Sequence, residues 1–276
     1  MAQQIPFVQS VFHPTDFSKG SEQAFAHALA IALLRQTTLT IFHAGKDAHS
    51  DWSRFPAVRG TLERWGLLEV GSPRSAVMDE FSVRVTKIQS SGNPVKACFE
   101  EMTKVEPDLL VLASEGREGL SRWLRPSVAE RIARRSGTMT LLVPNEGRGF
   151  ISMEDGSTHL RRILVAADVQ PDARNAALRA TRVAEAIGDG DTEIVLLRVG
   201  GSPPELELPE SDRWTVRAES AEGDVVEVLT AASEDCDLVV ATTEGEQGVL
   251  DLLRGSTTAR LARSVSCPIL AVPAGS

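Results

Sequence analysis

The 276-residue chain holds only three cysteines, Cys98, Cys236 and Cys267, with no Cys-x-x-Cys spacing among them. That excludes a disulfide frame and a cysteine-rich zinc site, and it fits a reducing, cytoplasmic setting. Positive charge is also scarce: 29 Lys and Arg against 38 Asp and Glu leave a formal charge of −9. Nucleic acid and anionic membrane surfaces both call for a basic face, so neither partner is expected. No apolar run approaches the roughly 18 residues of a membrane span. The stretch "MAQQIPFVQSVF" carries no basic n-region and no long apolar segment, so no signal peptide is expected. Missing too are a Walker A loop, a G-x-G-x-x-G fingerprint and a G-x-S-x-G elbow.

What the chain does contain is a repeat. "EGREGLSRWLRPSVAERIAR" (115–134) and "EGEQGVLDLLRGSTTARLAR" (244–263) agree at nine of twenty positions without gaps. "PDLLVLASEG" aligns with "CDLVVATTEG" and "TLLVP" with "ILAVP", all at an offset of 129. Nearer the start, "VFHPTDFSKGSEQAFAHALAIA" aligns with "ILVAADVQPDARNAALRATRVA" at an offset of 152. A duplicated domain explains this pattern, the second copy having lost about two dozen residues between the anchors. At roughly 100–200 residues per domain the length also suggests two units. We expect them at 1–147 and 160–276, joined by the polar, glycine-bearing stretch 147–162.

Within each copy, short β-branched runs alternate with amphipathic stretches. Strands are predicted over 8–13, 38–43, 82–88, 109–113 and 140–143, then over 163–167, 194–199, 214–218, 238–241 and 269–272. Helices are predicted over 21–34, 54–68, 93–104 and 127–135, then over 172–187, 224–233 and 256–265. Phe25, Leu29 and Ala32 share one face of the first. Strands alternating with helices imply a doubly wound, Rossmann-like α/β domain, twice over, for which we assume the strand order 3-2-1-4-5. The second copy has the proline-rich "GGSPPELELPESD" where the first has its helix over 54–68. The final strands end at Pro144 and Pro273, and their open edges are expected to pair with each other in an intramolecular pseudo-dimer.

In such a sheet ligands bind beyond the carboxyl ends of the strands where the order reverses, between strands 1 and 4. Asp16 and Asp168 follow strand 1 of each copy, and the glycine segments follow strand 4. In the second copy Gly245, Gly248 and Gly255 would let main-chain N–H groups approach an anion, with Ser256 and Thr257 at the start of a helix. The same residues also suit an ordinary turn and N-cap. In the first copy the series is Gly116, Gly119, Pro126 and Ser127. Proline has no N–H and fixes φ, and Ser127 with Glu130 forms a capping box, so this copy reads as closed to anions. His13 and His43 end adjacent strands, but two histidines without a third ligand do not make a metal site. No base with an orienting partner accompanies either loop.

The strand ends "HPTDFS" and "VAAD", the second strands "LTIFHA" and "IVLLRV", and the glycine segments together resemble the universal stress protein family in its tandem form. The resemblance covers nearly the whole chain. It implies an adenine nucleotide, ATP or another, held in the crevice. Asp168 would hold the adenosine, the backbone near Val199 would meet the adenine edge, and the glycine segment would cradle the phosphates. Asp16, Ala44, Gly116, Gly119 and Ser127 form the weaker counterpart. Thr242 and Ala113 depart from the family's first motif glycine, and Glu244 and Glu246 beside a polyphosphate call for a cation such as Mg²⁺. The resemblance implies a non-enzymatic stress-response regulator with an unnamed protein partner, and leaves room for a homodimer. A slow ATPase or nucleotide hydrolase and a nucleotide-free scaffold are the alternatives.

Overall fold

The computed structural model describes residues 7–45, 52–114, 132, 137–145, 147–167, 172–243, 261 and 264–274. In the first repeat, β1 (Ser10–Pro14), β2 (Thr38–Gly45), β3 (Arg84–Ser91), β4 (Leu109–Ser114) and β5 (Met139–Pro144) alternate with α1 (Lys19–Arg35), α2 (Val58–Arg64), α3 (Ala76–Phe81) and α4 (Pro94–Val105). The second repeat has β6 (Arg162–Ala166), α5 (Arg174–Ile187), β7 (Thr192–Val199), β8 (Trp214–Ala221), α6 (Val225–Ser233), β9 (Leu238–Thr243) and β10 (Ile269–Pro273). The expected order 3-2-1-4-5 holds twice, and the two halves share one ten-stranded sheet, β3-β2-β1-β4-β5-β10-β9-β6-β7-β8. Every pairing is parallel except the central one. There β5 and β10 run antiparallel, with Ile269 opposite Leu142 and Ala271 opposite Thr140. Each repeat closes the other's open edge, as the two apolar terminal strands require.

The two faces of the sheet are built differently. On one face α1 and α5 lie side by side over the central strands, and their buried residues form a single core spanning both repeats, from Phe25 and Leu29 to Ala177 and Ala184. Helix α1 is therefore buried almost all round, Ala24 through Ala32 without a break, rather than on the one face its periodicity shows. On the other face the cores stay separate. Phe12, Phe42, Cys98 and Met102 pack in the first repeat, and Leu164, Leu197, Cys236 and Cys267 in the second. Burial pushes the Cys98 and Cys267 thiols up to about 12 and Cys236 to about 11, so all three stay protonated and inert.

The helix predicted over 54–68 is instead a 3-10 turn (Trp52–Arg54) followed by the shorter α2. Pro56 lies between them; it lacks an N–H and turns Phe55 away from helical geometry. Helix α3 was not anticipated. In the second repeat the proline-rich stretch takes over part of this cover, and Leu206 and Leu208 pack against the shared core.

The connection over 147–161 is more than a polar link. Phe150, Ile151 and Leu160 are buried in the shared core, and Ile151 bridges Thr158 across a short hairpin. His27 on α1 receives the Phe150 N–H on Nε2 (3.2 Å), while its Nδ1–H donates to the Gln23 carbonyl (2.8 Å). The Trp65 indole donates to the Met153 carbonyl at 3.2 Å. Toward the second repeat, the Arg148 N–H donates to the Ser266 carbonyl at 2.7 Å.

Duplication extends to polar detail. Asp108, just before β4, accepts the N–H groups of Gln9 (2.8 Å) and Ser10 (3.1 Å) at the start of β1. Asp237 does the same for Arg161 (2.8 Å) and Arg162 (3.0 Å) at the start of β6. Helices α4 and α6 are both capped by a side chain accepting two main-chain N–H groups, Asn93 in one and Asp224 in the other.

Candidate functional site

The strand order places β1 beside β4 and β6 beside β9, with carboxyl ends pointing the same way in each pair. These are the two crevices the topology offers to a ligand. Neighbouring second strands contribute to their walls. Successive residues of a strand turn their N–H and C=O groups to opposite sides. The Phe42 carbonyl accepts the Thr15 N–H (2.8 Å), and Leu197 accepts that of Ala167 (2.9 Å). Gly45 and Gly200 bond to the other side, toward β3 and β8. The alternation therefore turns the peptide groups of Ala44 and Val199 toward β1 and β6, just beyond the last of those ladder bonds.

The first crevice is lined by a turn that satisfies itself. Asp16 Oδ1 accepts the Ser18 N–H (2.9 Å) and the Ser21 hydroxyl (2.7 Å), ordering the entry to α1. Partial desolvation opposes ionisation of Asp16, but these hydrogen bonds outweigh it and hold the carboxyl below its ordinary value. Phe17, at φ 62°, lies flat on the His43 ring with centroids 3.9 Å apart, and Trp52 meets it edge-on at 5.1 Å. The His43 Nδ1–H donates to the Thr15 carbonyl at 2.7 Å. This aromatic stack consumes the histidine that the sequence had offered as half of a pair.

Its supposed mate, His13, is buried on its own. Its Nδ1–H donates to the Val111 carbonyl (3.0 Å), and its ring stacks on Phe55 with centroids 6.0 Å apart. Burial lowers the pKa of His13 to about 4, and that of His27 likewise, so both are neutral at physiological pH. Among the described residues no group of three His, Cys, Asp or Glu side chains is placed to hold a metal ion.

The second crevice differs at three positions. Register makes Arg198 the counterpart of His43, because Phe42 pairs with Pro14 as Leu197 pairs with Ala166. The stacked histidine of the first repeat is thus replaced by a guanidinium, whose Nε donates to the Gly200 carbonyl at 3.2 Å. Thr242, at the end of β9, is buried and donates to the Asp172 carbonyl at 3.0 Å, tying that strand to the entry of α5. Asn175 on α5 donates to the Ala274 carbonyl at 2.7 Å. The sequence reading passed over Arg198, although its alignment of Ala44 with Val199 already sets Arg198 opposite His43; the pairing register gives the same correspondence.

Asp168, Gly245, Gly248, Gly255, Ser256 and Thr257 lie outside the described residues, as do Gly116, Gly119 and Ser127. The described part of the site comprises Asp16, Ala44, Arg198, Val199 and Thr242.

With this geometry in hand, comparison with known proteins is direct. A sequence model of the universal stress protein family matches residues 8–144 and 205–273, more than half of the chain. The chain belongs to the universal stress protein family. The second match begins only after β7, so β6, α5 and Val199 fall outside it, although they hold the same places in the sheet as their first-repeat counterparts. A universal stress protein from Archaeoglobus fulgidus is similar over 97% of this chain and 96% of its own, at 16% identity and a TM-score of 0.62. A protein of unknown function from Pseudomonas aeruginosa is similar over 96% of this chain and 92% of its own, at 14% identity and a TM-score of 0.60. A universal stress protein solved in complex with cAMP is 27% identical over 50% of this chain and 98% of its own, with a TM-score of 0.35. No curated protein matches the chain. Among the described residues no helix is long and apolar enough to cross a membrane.

Proposed function

We propose that this member of the family is a non-enzymatic regulator that binds an adenine nucleotide in its second repeat, within a unit spanning 160–276. The observation that carries this reading is the pair Arg198–Val199. Val199 turns its peptide groups toward the end of β6, where they suit the edge of an adenine ring. Arg198 puts a guanidinium at the same edge, where the first repeat has a histidine stacked under an aromatic ring and bonded to the Thr15 carbonyl. Asp168 would hold the adenosine, and Gly245, Gly248, Gly255, Ser256 and Thr257 the phosphates, with Mg²⁺ screening Glu244 and Glu246. The first-repeat set of Asp16, Ala44, Gly116, Gly119 and Ser127 would stay empty, because Asp16 is engaged by Ser18 and Ser21 and Pro126 offers no donor.

A second reading has its own observation. The Thr242 side chain stands at the family's first motif glycine and is bonded to Asp172, which favours a nucleotide-free scaffold. Mass spectrometry of freshly purified, denatured protein, followed by calorimetric titration with ATP, separates the two. Co-purified adenine nucleotide, with affinity reduced about ten- to a hundredfold by Gly255→Pro, supports binding in the second repeat. Affinity untouched by Gly255→Pro but abolished by Asp16→Ala would move the site to the first repeat. An empty protein with no heat of binding supports the scaffold. Steady ATP hydrolysis abolished by Asp168→Ala would replace both with an enzyme.

A further inference from the structure

Beyond the nucleotide crevices, the ten-stranded sheet ends in two edge strands, β3 and β8, and they are treated differently. Strand β3 is partly covered. Helix α3 packs against it, the Trp52 indole donates to Gln89 at 2.9 Å, and the Lys87 ammonium sits over the Trp52 ring at 5.0 Å. The second repeat lacks the segment that builds α2 and α3. As a result Thr215, Val216, Arg217 and Ala218 are all exposed, so that β8 is bare on both faces at its middle. Val216 is a large apolar residue left 40% exposed there. Such an edge is a template for pairing with another strand, and the charges it carries decide which strands can approach.

Charge distinguishes the two edges. Strand β3 carries Arg84 and Lys87 and no acid, so two copies of it repel. Strand β8 carries Arg217 and Glu219, one of each sign, two residues apart on one face, where the Arg217 Nε meets Glu219 at 2.8 Å and Glu193 of β7 at 3.5 Å, so that two copies brought together there would join these pairs into one alternating network. The backbone is oriented to match. Ala221 and Arg213 turn their carbonyls toward β7, accepting the Gly200 and Thr192 N–H groups at 2.9 and 3.1 Å. By alternation Val216, Ala218 and Ser220 turn their N–H and C=O groups outward, where among the described residues no main-chain group meets them.

We propose that β8 is the seam of a homodimer in which two copies of this chain pair antiparallel about Ala218, extending the sheet across the two-fold axis. In that register Ala218 exchanges main-chain hydrogen bonds with Ala218 of the second copy, Val216 lies opposite Ser220, and each Arg217 faces Glu219 of the second copy. Centring the pair on Arg217 or on Glu219 would bring like charges together, and centring on Val216 or Ser220 shortens the overlap. The chain already uses this geometry internally, since β5 and β10 join its repeats by antiparallel edge pairing. One strand pair buries less than a standard interface, so the dimer is weak and concentration-dependent.

Sedimentation equilibrium of the full chain over a wide concentration range tests this. A monomer–dimer equilibrium is expected. Ala218→Pro removes an outward-facing donor while sparing the ladder to β7, and should abolish the dimer without altering the circular dichroism spectrum. Glu219→Arg sets one guanidinium against another across the axis and should weaken association at least about tenfold at low salt. Adding Arg217→Glu to that variant restores complementarity and should restore the dimer, whereas Arg217→Glu alone should not form it. Should Ala218→Pro fail to fold, the charge series decides by itself. A wild-type chain monomeric at every concentration, or a dimer unaffected by both Ala218→Pro and Glu219→Arg, would overturn the assignment.

Discussion

The Thr242 hydroxyl donates to the main-chain carbonyl of Asp172 at 3.0 Å, across the mouth of the crevice between β6 and β9. It links the end of the second repeat's fourth strand to the entry of its first helix. Thr242→Val removes the hydroxyl at nearly constant volume and should cost about 1 kcal/mol of stability in urea denaturation. Thr242→Gly should cost about 1–2 kcal/mol, adding the backbone freedom of glycine, yet tighten ATP binding severalfold by clearing the crevice. Unchanged or weaker ATP affinity in the glycine variant would show that Thr242 is not the obstruction.

Asp108 and Asp237 make the same two bonds in different repeats. Each carboxylate satisfies both main-chain donors at the start of a central strand, and bonds to a charged acceptor are stronger than neutral ones. Replacing either with alanine should lower stability by about 2 kcal/mol, and asparagine should recover part of that loss. Two separate chemical denaturation series check this. A loss in one repeat but not the other would break the equivalence.

His13 and His27 make stability depend on pH. Burial lowers both from the ordinary 6.5 to about 4, so between these values the unfolded chain binds protons that the native chain refuses. Stability is therefore fully present above pH 6.5 and falls as the pH drops toward 4, by on the order of 3 kcal/mol for each ring. For His27 protonation also has a geometric consequence: Nε2 would then no longer accept the Phe150 N–H. Urea midpoints at several pH values between 7 and 4 should decline, and His27→Gln should flatten the curve by about half. A midpoint constant over that window would contradict it.

Gly156 closes the hairpin of the inter-repeat connection at φ +72°, and a Cβ there would strike the Trp65 ring. Gly156→Ala should destabilise by about 1–3 kcal/mol through backbone strain and displacement of the indole. Thermal unfolding monitored by tryptophan fluorescence measures it. A neutral result would mean that the hairpin relaxes away from Trp65 without cost.

Much of this architecture is legible in the linear sequence. Offsets of 129 and 152 reveal the duplication, and apolar runs near Val11, Leu39 and Val239 mark buried strands, because hydrophobic periodicity and turn residues act over a few positions. Short connections and right-handed crossovers restrict the strand order to a few, of which the assumed 3-2-1-4-5 is the one found. Local pattern leaves other features unspecified. Nothing in "GRGFISMEDGSTHLRR" distinguishes a solvated link from one whose Phe150 is gripped by His27, a residue 123 positions away in the chain. Arg198 stands opposite His43 already when "LTIFHA" is set beside "IVLLRV", but that the histidine is stacked under Phe17 while the guanidinium turns to the Gly200 carbonyl follows only from the packed loops. Thr242 reads as a lost glycine in sequence, and as a bond to Asp172 only once α5 has packed beside β9. The sequence by itself determined the repeats, their elements and the glycine segments, because each is written within a few neighbouring residues. The tertiary structure decided how the 147–161 connection packs, where Arg198 lies and which sheet edge stays bare, because each depends on groups that meet only when distant segments are packed together.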